Sequence, residues 1–343
     1  MNLHPLQPEI GMIGLCSAIL FLIGVFNYFY DKKFQSDYLF ISLFYLVTSY
    51  FLFYLITAFR LFSVPFFFPE QPILSMANLI LFLGFSFLGA NTVLPRLSLR
   101  FQVVYILILG MVLFPVLYWI FHSGVLANLH FADRSGFLFL ILGAGSLIWF
   151  HEIFFSPSGS DEKNLQNQSD SGFSYLIFLP WACLISSKLI PNEVYLNLGL
   201  ELLLIGGASG FGFFLLFKIR KHENDSFPAI IGFLSGISFS SSSAGISLAL
   251  LLPISFVLGI VLQVFHHWLT TKLWSPKGAG LFTGLLVAGT VGVFSPLLTW
   301  QNTDLPHPHL TMLGVQAIGL LTVFLLSSLS ASLLFFLLKQ SRN

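Results

Sequence analysis

Residues 320–338 read Leu-Leu-Thr-Val-Phe-Leu-Leu-Ser-Ser-Leu-Ser-Ala-Ser-Leu-Leu-Phe-Phe-Leu-Leu, a run without a single charge. At about 1.5 Å of rise per residue, an α-helix of this length spans roughly 28 Å, close to the hydrocarbon thickness of a bilayer. A membrane-crossing β-strand would instead alternate apolar and polar residues over about ten positions, and this run is apolar on every face. It reads as a transmembrane helix. Ile13 to Val25 and Leu39 to Ile56 are further runs of the same kind.

The whole composition agrees with that stretch. Of 343 residues, 56% are apolar and 17% aromatic while 8% are charged, against roughly 25% charged residues in a soluble domain. No water-facing surface can be assembled from such a chain, so lipid is its solvent. The net charge of +1 comes without a basic stripe, which excludes a nucleic-acid partner. Cys16 and Cys183 lie far apart within apolar segments and read as packing residues rather than a disulfide or a thiolate metal site. The 41 phenylalanines read chiefly as lipid-facing bulk. No cofactor is expected.

Apolar segments fall near 9–30, 38–61, 72–94, 101–122 and 135–154. After the polar insert Ser156 to Ser171 they resume near 173–190, 193–217, 228–244, 246–267 and 279–299, with a last one at 308–338. The expected fold is therefore an all-α polytopic membrane protein of about eleven transmembrane helices. It forms a single transmembrane domain over 1–343: a first half at 9–155, a cytoplasmic linker at 156–171, a second half at 173–300 and an extra helix at 308–338. Five spans in each half invert the second half relative to the first, giving a 5+5 repeat plus one. Met1 to Gly11 carries Glu9 and no Lys or Arg, so the first helix is expected to be retained with the N-terminus outside. This orientation places 12 of the 15 basic residues in cytoplasmic loops and leaves Arg60, Arg134 and Lys188 outside, as the retention of positive charge demands. The C-terminus is then cytoplasmic and the location the plasma (inner) membrane.

Few polar residues interrupt the helices. Glu201 lies about two turns into one, a costly position for a carboxylate in lipid, where pairing or protonation in place would relieve it. His266 and His267 are adjacent, so their side chains diverge by about 100° and do not clamp one metal. His307 and His309 belong to a Pro-His-Pro-His turn, and Ser240 to Ser243 supply hydroxyls suited to capping helix ends. No GxSxG elbow, HExxH pair or Walker loop occurs, so the chain is not expected to be an enzyme.

Several short stretches, taken in order, point further. Phe114-Pro115-Val116-Leu117-Tyr118-Trp119 is followed by His130-Phe131-Ala132-Asp133-Arg134-Ser135, then by Pro180-Trp181-Ala182-Cys183-Leu184. Phe227-Pro228 leads into Gly232-Phe233-Leu234-Ser235-Gly236, and Gly280-Leu281-Phe282-Thr283-Gly284-Leu285-Leu286 comes later. The series resembles the ammonium transporter/Rh family across roughly residues 70 to 300. The matching family patterns are Tyr-x-Pro-x-x-His-x-x-Trp, Asp-Phe-Ala-Gly-Gly-Thr-x-x-His, Gly-Trp-Phe-Gly-Phe-Asn, Lys-Pro-Ser-x-x-Gly-x-x-Ser-Gly and a Gly-rich segment ending in Leu-Leu-Thr-Gly.

The resemblance implies a homotrimer with one pore per subunit, an aromatic outer site, stacked phenylalanines and an apolar pore with two facing histidines. Phe82 and Phe85 are candidates for the outer gate, and Tyr118, Trp119 and Trp181 for aromatic faces that receive a cation before it sheds water. The departures fall on the pore. The family's two histidines align with Leu138 and with Pro276 or an immediate neighbour, its buried aspartate with His130, and a gating phenylalanine with Leu184. The expected activity is a channel or transporter for ammonia/ammonium or another small neutral solute. The alternative is a transport-inactive paralogue serving as a membrane sensor or structural subunit. Lys339 to Asn343 are too few for the family's regulatory tail, so regulation through it is not expected.

Overall fold

The computed structural model describes residues 138–155, 193–221, 227–241, 246–272, 276–298 and 308–340, with scattered positions between 104 and 133. Among them there is no strand. After a short turn at Val125–Asn128, the helices are α1 (Leu138–Phe155), α2 (Glu193–Lys221), α3 (Phe227–Ser240) and α4 (Leu248–Lys272). Helix α5 begins as Pro276–Leu281, widens into a π-turn at Phe282–Val287 and returns to α geometry over Ala288–Phe294. A 3-10 turn at Ser295–Leu298 follows, and α6 runs Pro308–Gln340. These are the last segment of the expected first half and, from 193 on, the segments read from apolar runs.

Local chemistry explains the ends. Helices α5 and α6 open on proline and α3 carries Pro228 in its first turn, where a missing N–H removes no helical bond. Helix α2 closes through Lys218 and Arg220, charges at the dipole end that favours them. At the close of α3, Ser240 and Ser241 both donate their hydroxyls to the Ile237 carbonyl, at 3.1 and 2.8 Å. This is the capping expected of the serine run; Ser242 and Ser243 lie outside the described residues.

Among the described residues, three helices are long and apolar enough to cross a membrane: Glu201–Arg220, Leu248–Thr271 and Thr311–Leu337. Helix α6 shows how such a helix divides its surface. Leu321, Leu325 and Leu329 are 59, 60 and 65% exposed, whereas Val323 and Ser327 are fully buried. One stripe at four-residue spacing faces outward and the opposite stripe faces protein, the pattern of a helix with lipid on one side.

Packing sorts the helices into two groups joined by α3 and α5. Helices α2, α3 and α4 pack on one another; α1 packs on α5 and α6. The Gly206-to-Gly210 stretch brings the first group together. A β-carbon built at Gly259 of α4 would lie 2.1 Å from the Ser209 carbonyl oxygen of α2, and one at Gly236 of α3 would lie 2.8 Å from the Ser209 Cβ. Backbones therefore touch where lipid gives no hydrophobic drive and dispersion contact must hold helices together.

Candidate functional site

The described interior centres on the crossing of α1 with the π-turn of α5. A β-carbon at Gly145 would lie 2.7 Å from the backbone nitrogen of Leu286, and one at Gly289 would lie 2.9 Å from Leu142. The Trp149 and Phe282 ring centroids are 4.7 Å apart. Rising numbers on α1 meet falling numbers on α5, so the two helices run antiparallel. Ile141, Leu142, Leu285 and Leu286 are all buried in this contact.

Four interior hydroxyls turn onto their own helices. Ser146 donates to the Leu142 carbonyl, Ser235 to Ile231 and Ser238 to Leu234, each at 2.8 Å, and Thr283 donates to Ala279 at 2.7 Å. With those groups satisfied by the preceding turn, the surfaces that meet at the crossing are hydrocarbon. His151, near the end of α1, is buried and its Nδ1–H donates to the Leu147 carbonyl. Ser327 of α6 donates to the Gly143 carbonyl of α1 at 3.3 Å, tying the two helices.

Leu138, the first residue of α1, is fully buried. Pro276 opens α5. Because α1 and α5 are antiparallel, these positions lie at opposite ends of the pair. The α5 residue level with Leu138 is near Val293, about 25 Å along the helix from Pro276 at 1.5 Å per residue. Phe82, Phe85, Tyr118, Trp119, His130, Trp181 and Leu184 lie outside the described residues. Glu201 is half-buried in α2. His266 is buried with its ring centroid 5.7 Å from that of Phe213, while His267 is exposed, so the adjacent histidines diverge as expected. No group of three metal-ligating side chains occurs among the described residues.

Asp133 emerges from the structure rather than from the sequence. Its Oδ2 accepts the Leu138 backbone N–H at 2.9 Å, satisfying one of the amides left open at the start of α1. The resemblance sets the family's aspartate at His130, three residues before this carboxylate. Asp133→Ala is expected to lower stability by about 1 kcal/mol and Asp133→Asn by less, since an amide oxygen still caps. Thermal unfolding in detergent measures both.

Beside Asp133, Phe121 stacks on Phe139 at 5.2 Å and meets Phe131 edge-on at 4.9 Å. Phe131 in turn lies against α6, where a β-carbon at Gly319 would be 2.3 Å from its ring. An aromatic cluster and a carboxylate thus mark the end of the bundle where α1 begins.

Comparison with known proteins gives a consistent result. Neither a protein-family profile nor a curated protein sequence matches this chain. Solved structures do. The Sensor Amt Protein superposes with a TM-score of 0.69 at 15% identity, covering 99% of this chain and 95% of its own. Mep2 of Candida albicans gives 0.66 at 16% identity over 100% of this chain and 86% of that one. Mep2 of Saccharomyces cerevisiae gives 0.67 at 14% identity over 95% and 84%. The fold expected from the sequence resemblance, an all-helical membrane fold of the ammonium-transporter type, is the fold of this chain. The protein is an integral membrane protein.

Proposed function

We propose that this chain, folded as an ammonium-transporter-type membrane protein, is a channel or transporter for ammonia or another small neutral solute. The observation that carries the proposal is the likeness of fold across 95% or more of the chain, joined to an apolar interior. A charged solute in such an interior is costly, whereas a neutral one leaves no unpaired charge behind. On this reading the chain has eleven spans as a 5+5 inverted repeat plus one, with its C-terminus in the cytoplasm. Three copies assemble, one pore to each, and Phe82, Phe85, Tyr118, Trp119 and Trp181 supply the aromatic outer site. Ammonium gives up its proton to water at the outer face and crosses as ammonia.

Setting the Asp of the Asp-Phe-Ala-Gly-Gly-Thr-x-x-His pattern on Asp133 moves its His to Ile141. Ile141 is fully buried, and its Cγ2 would lie 3.9 Å from a β-carbon at Gly289 of α5. We assign the position of the first pore histidine to Ile141 in this arrangement. The path then has hydrocarbon where the family shares a proton between two imidazoles.

A second reading is favoured by the tight α1–α5 crossing and by the likeness to a Sensor Amt Protein: the chain does not conduct and serves as a sensor or structural subunit. Flux of ammonia and methylammonium into proteoliposomes decides between the two. The controls are empty liposomes and a double variant, Leu138→Trp with Trp181→Ala. Flux above the empty level that the variant changes supports the channel. Flux at the empty level, from protein shown to be folded, overturns it in favour of the sensor.

A further inference from the structure

Gln316 lies in the N-terminal half of α6 and is fully buried, yet neither its Nε2 nor its Oε1 has a hydrogen-bond partner. Ser295, first residue of the 3-10 turn after α5, is 2% exposed and its Oγ is likewise without a partner. The two come from elements that pack on each other. Contacts with α1 set their levels. Gly145 meets Leu286 and Leu142 meets Gly289 on α5, while Gly143 accepts from Ser327 on α6. Ser327 and Ala288 therefore stand near one level, and since α5 and α6 run in opposite directions, climbing both brings Ser295 and Gln316 toward the same end. Gly319, on which Phe131 rests, is one turn from Gln316 on the same face of α6.

Other buried groups also have open valences, but their case differs. Ser209 and Ser255 have unpaired hydroxyls, but they belong to α2 and α4, neither of which packs on α6 as the 3-10 turn does. Gln263 leaves only its Oε1 open. A glutamine amide has two donors and a two-lone-pair acceptor. An amide left wholly unpaired in a protein interior is rare and destabilising, and such groups in native structures are met by ordered small molecules.

We propose that Gln316 and Ser295 form a buried binding site for a small neutral molecule that both donates and accepts hydrogen bonds. The chemistry selects against ions. Ammonium only donates, so it satisfies Oε1 and leaves Nε2 open; an anion only accepts and does the reverse. Water and ammonia each satisfy both ends of the amide and the serine hydroxyl. The site is separate from the α1–α5 crossing and exists whether or not the chain conducts.

The test is thermal unfolding of the full-length protein in detergent for the wild type, Gln316→Met, Ser295→Ala and the double variant. Methionine keeps the length and volume of glutamine, so packing is little disturbed. An occupied site predicts that Gln316→Met lowers the midpoint by about 2–4 °C, and that the double variant loses less than the sum of the singles, because both act on one ligand. A midpoint unchanged or raised in Gln316→Met overturns the proposal, since replacing an empty orphan amide by hydrocarbon is neutral or stabilising. Additive losses overturn it as well. Repeating the series at alkaline pH in ammonium chloride against matched sodium chloride identifies the occupant. A wild-type midpoint that rises with ammonia while that of Gln316→Met does not assigns ammonia; the same drop in both salts assigns water.

Discussion

Gly259→Leu is expected to prevent recovery of monodisperse protein. A β-carbon at this position would lie 2.1 Å from the Ser209 carbonyl oxygen and 3.0 Å from the Phe213 nitrogen. Both obstacles are backbone, so no rotamer change makes room and α4 must move off α2. Overpacking a well-filled core costs about 1–3 kcal/mol when side chains can yield, and here only whole helices can. The loss spreads, because Ser209 and its neighbours also hold Gly232 and Gly236 of α3. Gly259→Ala requires a smaller version of the same displacement and is expected to lower the unfolding midpoint measurably. Gly207 supplies the contrast from the same helix. It is exposed, with nothing within 4 Å of the position its β-carbon would take. Gly207→Ala is therefore expected to stabilise by about 0.5–1 kcal/mol through helix propensity alone. Size-exclusion profiles and thermal unfolding of the three variants measure the contrast, and equal behaviour of Gly259→Ala and Gly207→Ala would contradict the backbone contact.

Gly145→Val is expected to have the next largest effect. The added carbons would press on Leu286 at its nitrogen, Cα and Cβ, at 2.7, 3.0 and 2.8 Å from the first of them. The α1–α5 crossing must open, with a loss of about 1–3 kcal/mol or more. Gly284→Ala is the matched control within the same π-turn. Its β-carbon would stand 3.3 Å from the Ile231 carbonyl oxygen and 3.6 Å from side-chain atoms, a gap closed by a shift of a few tenths of an ångström. Unfolding midpoints should separate these two variants clearly. Their proteoliposome flux carries independent information. If the chain conducts ammonia, Gly145→Val changes flux while Gly284→Ala keeps it near wild type.

The sequence made the helices from 193 onward legible because lipid imposes a simple rule. A span must be long, apolar and free of charge, and residues 308–338 or 246–267 meet that rule without reference to any partner. What eluded the sequence depended on register. Asp133 caps α1 through one hydrogen bond to Leu138, and a carboxylate three residues from a better-matching dipeptide has no local mark of that role. The separation of Leu138 from Pro276 follows from helix direction, which short motifs do not encode when each is aligned by itself. Gln316 is one polar letter in an apolar helix, and only three-dimensional packing shows that neither end of its amide is met.

The π-turn of α5 carries a further consequence, for tolerance to gained and lost residues. Phe282–Val287 accommodates a wider backbone ring than the α-helix on either side, the geometry produced when one extra residue enters an α-helix without displacing its ends. Removing one residue from within 282–287 would let α5 close into regular α geometry while Pro276–Leu281 and Ala288–Phe294 keep their present faces. The same deletion in Ala288–Phe294 would turn the residues beyond it by about 100° about the helix axis, carrying Gly292 away from Phe239, whose carbonyl oxygen lies 2.5 Å from where its β-carbon would be. A length change in this helix is therefore expected to be tolerated at the π-turn and harmful a few residues beyond it.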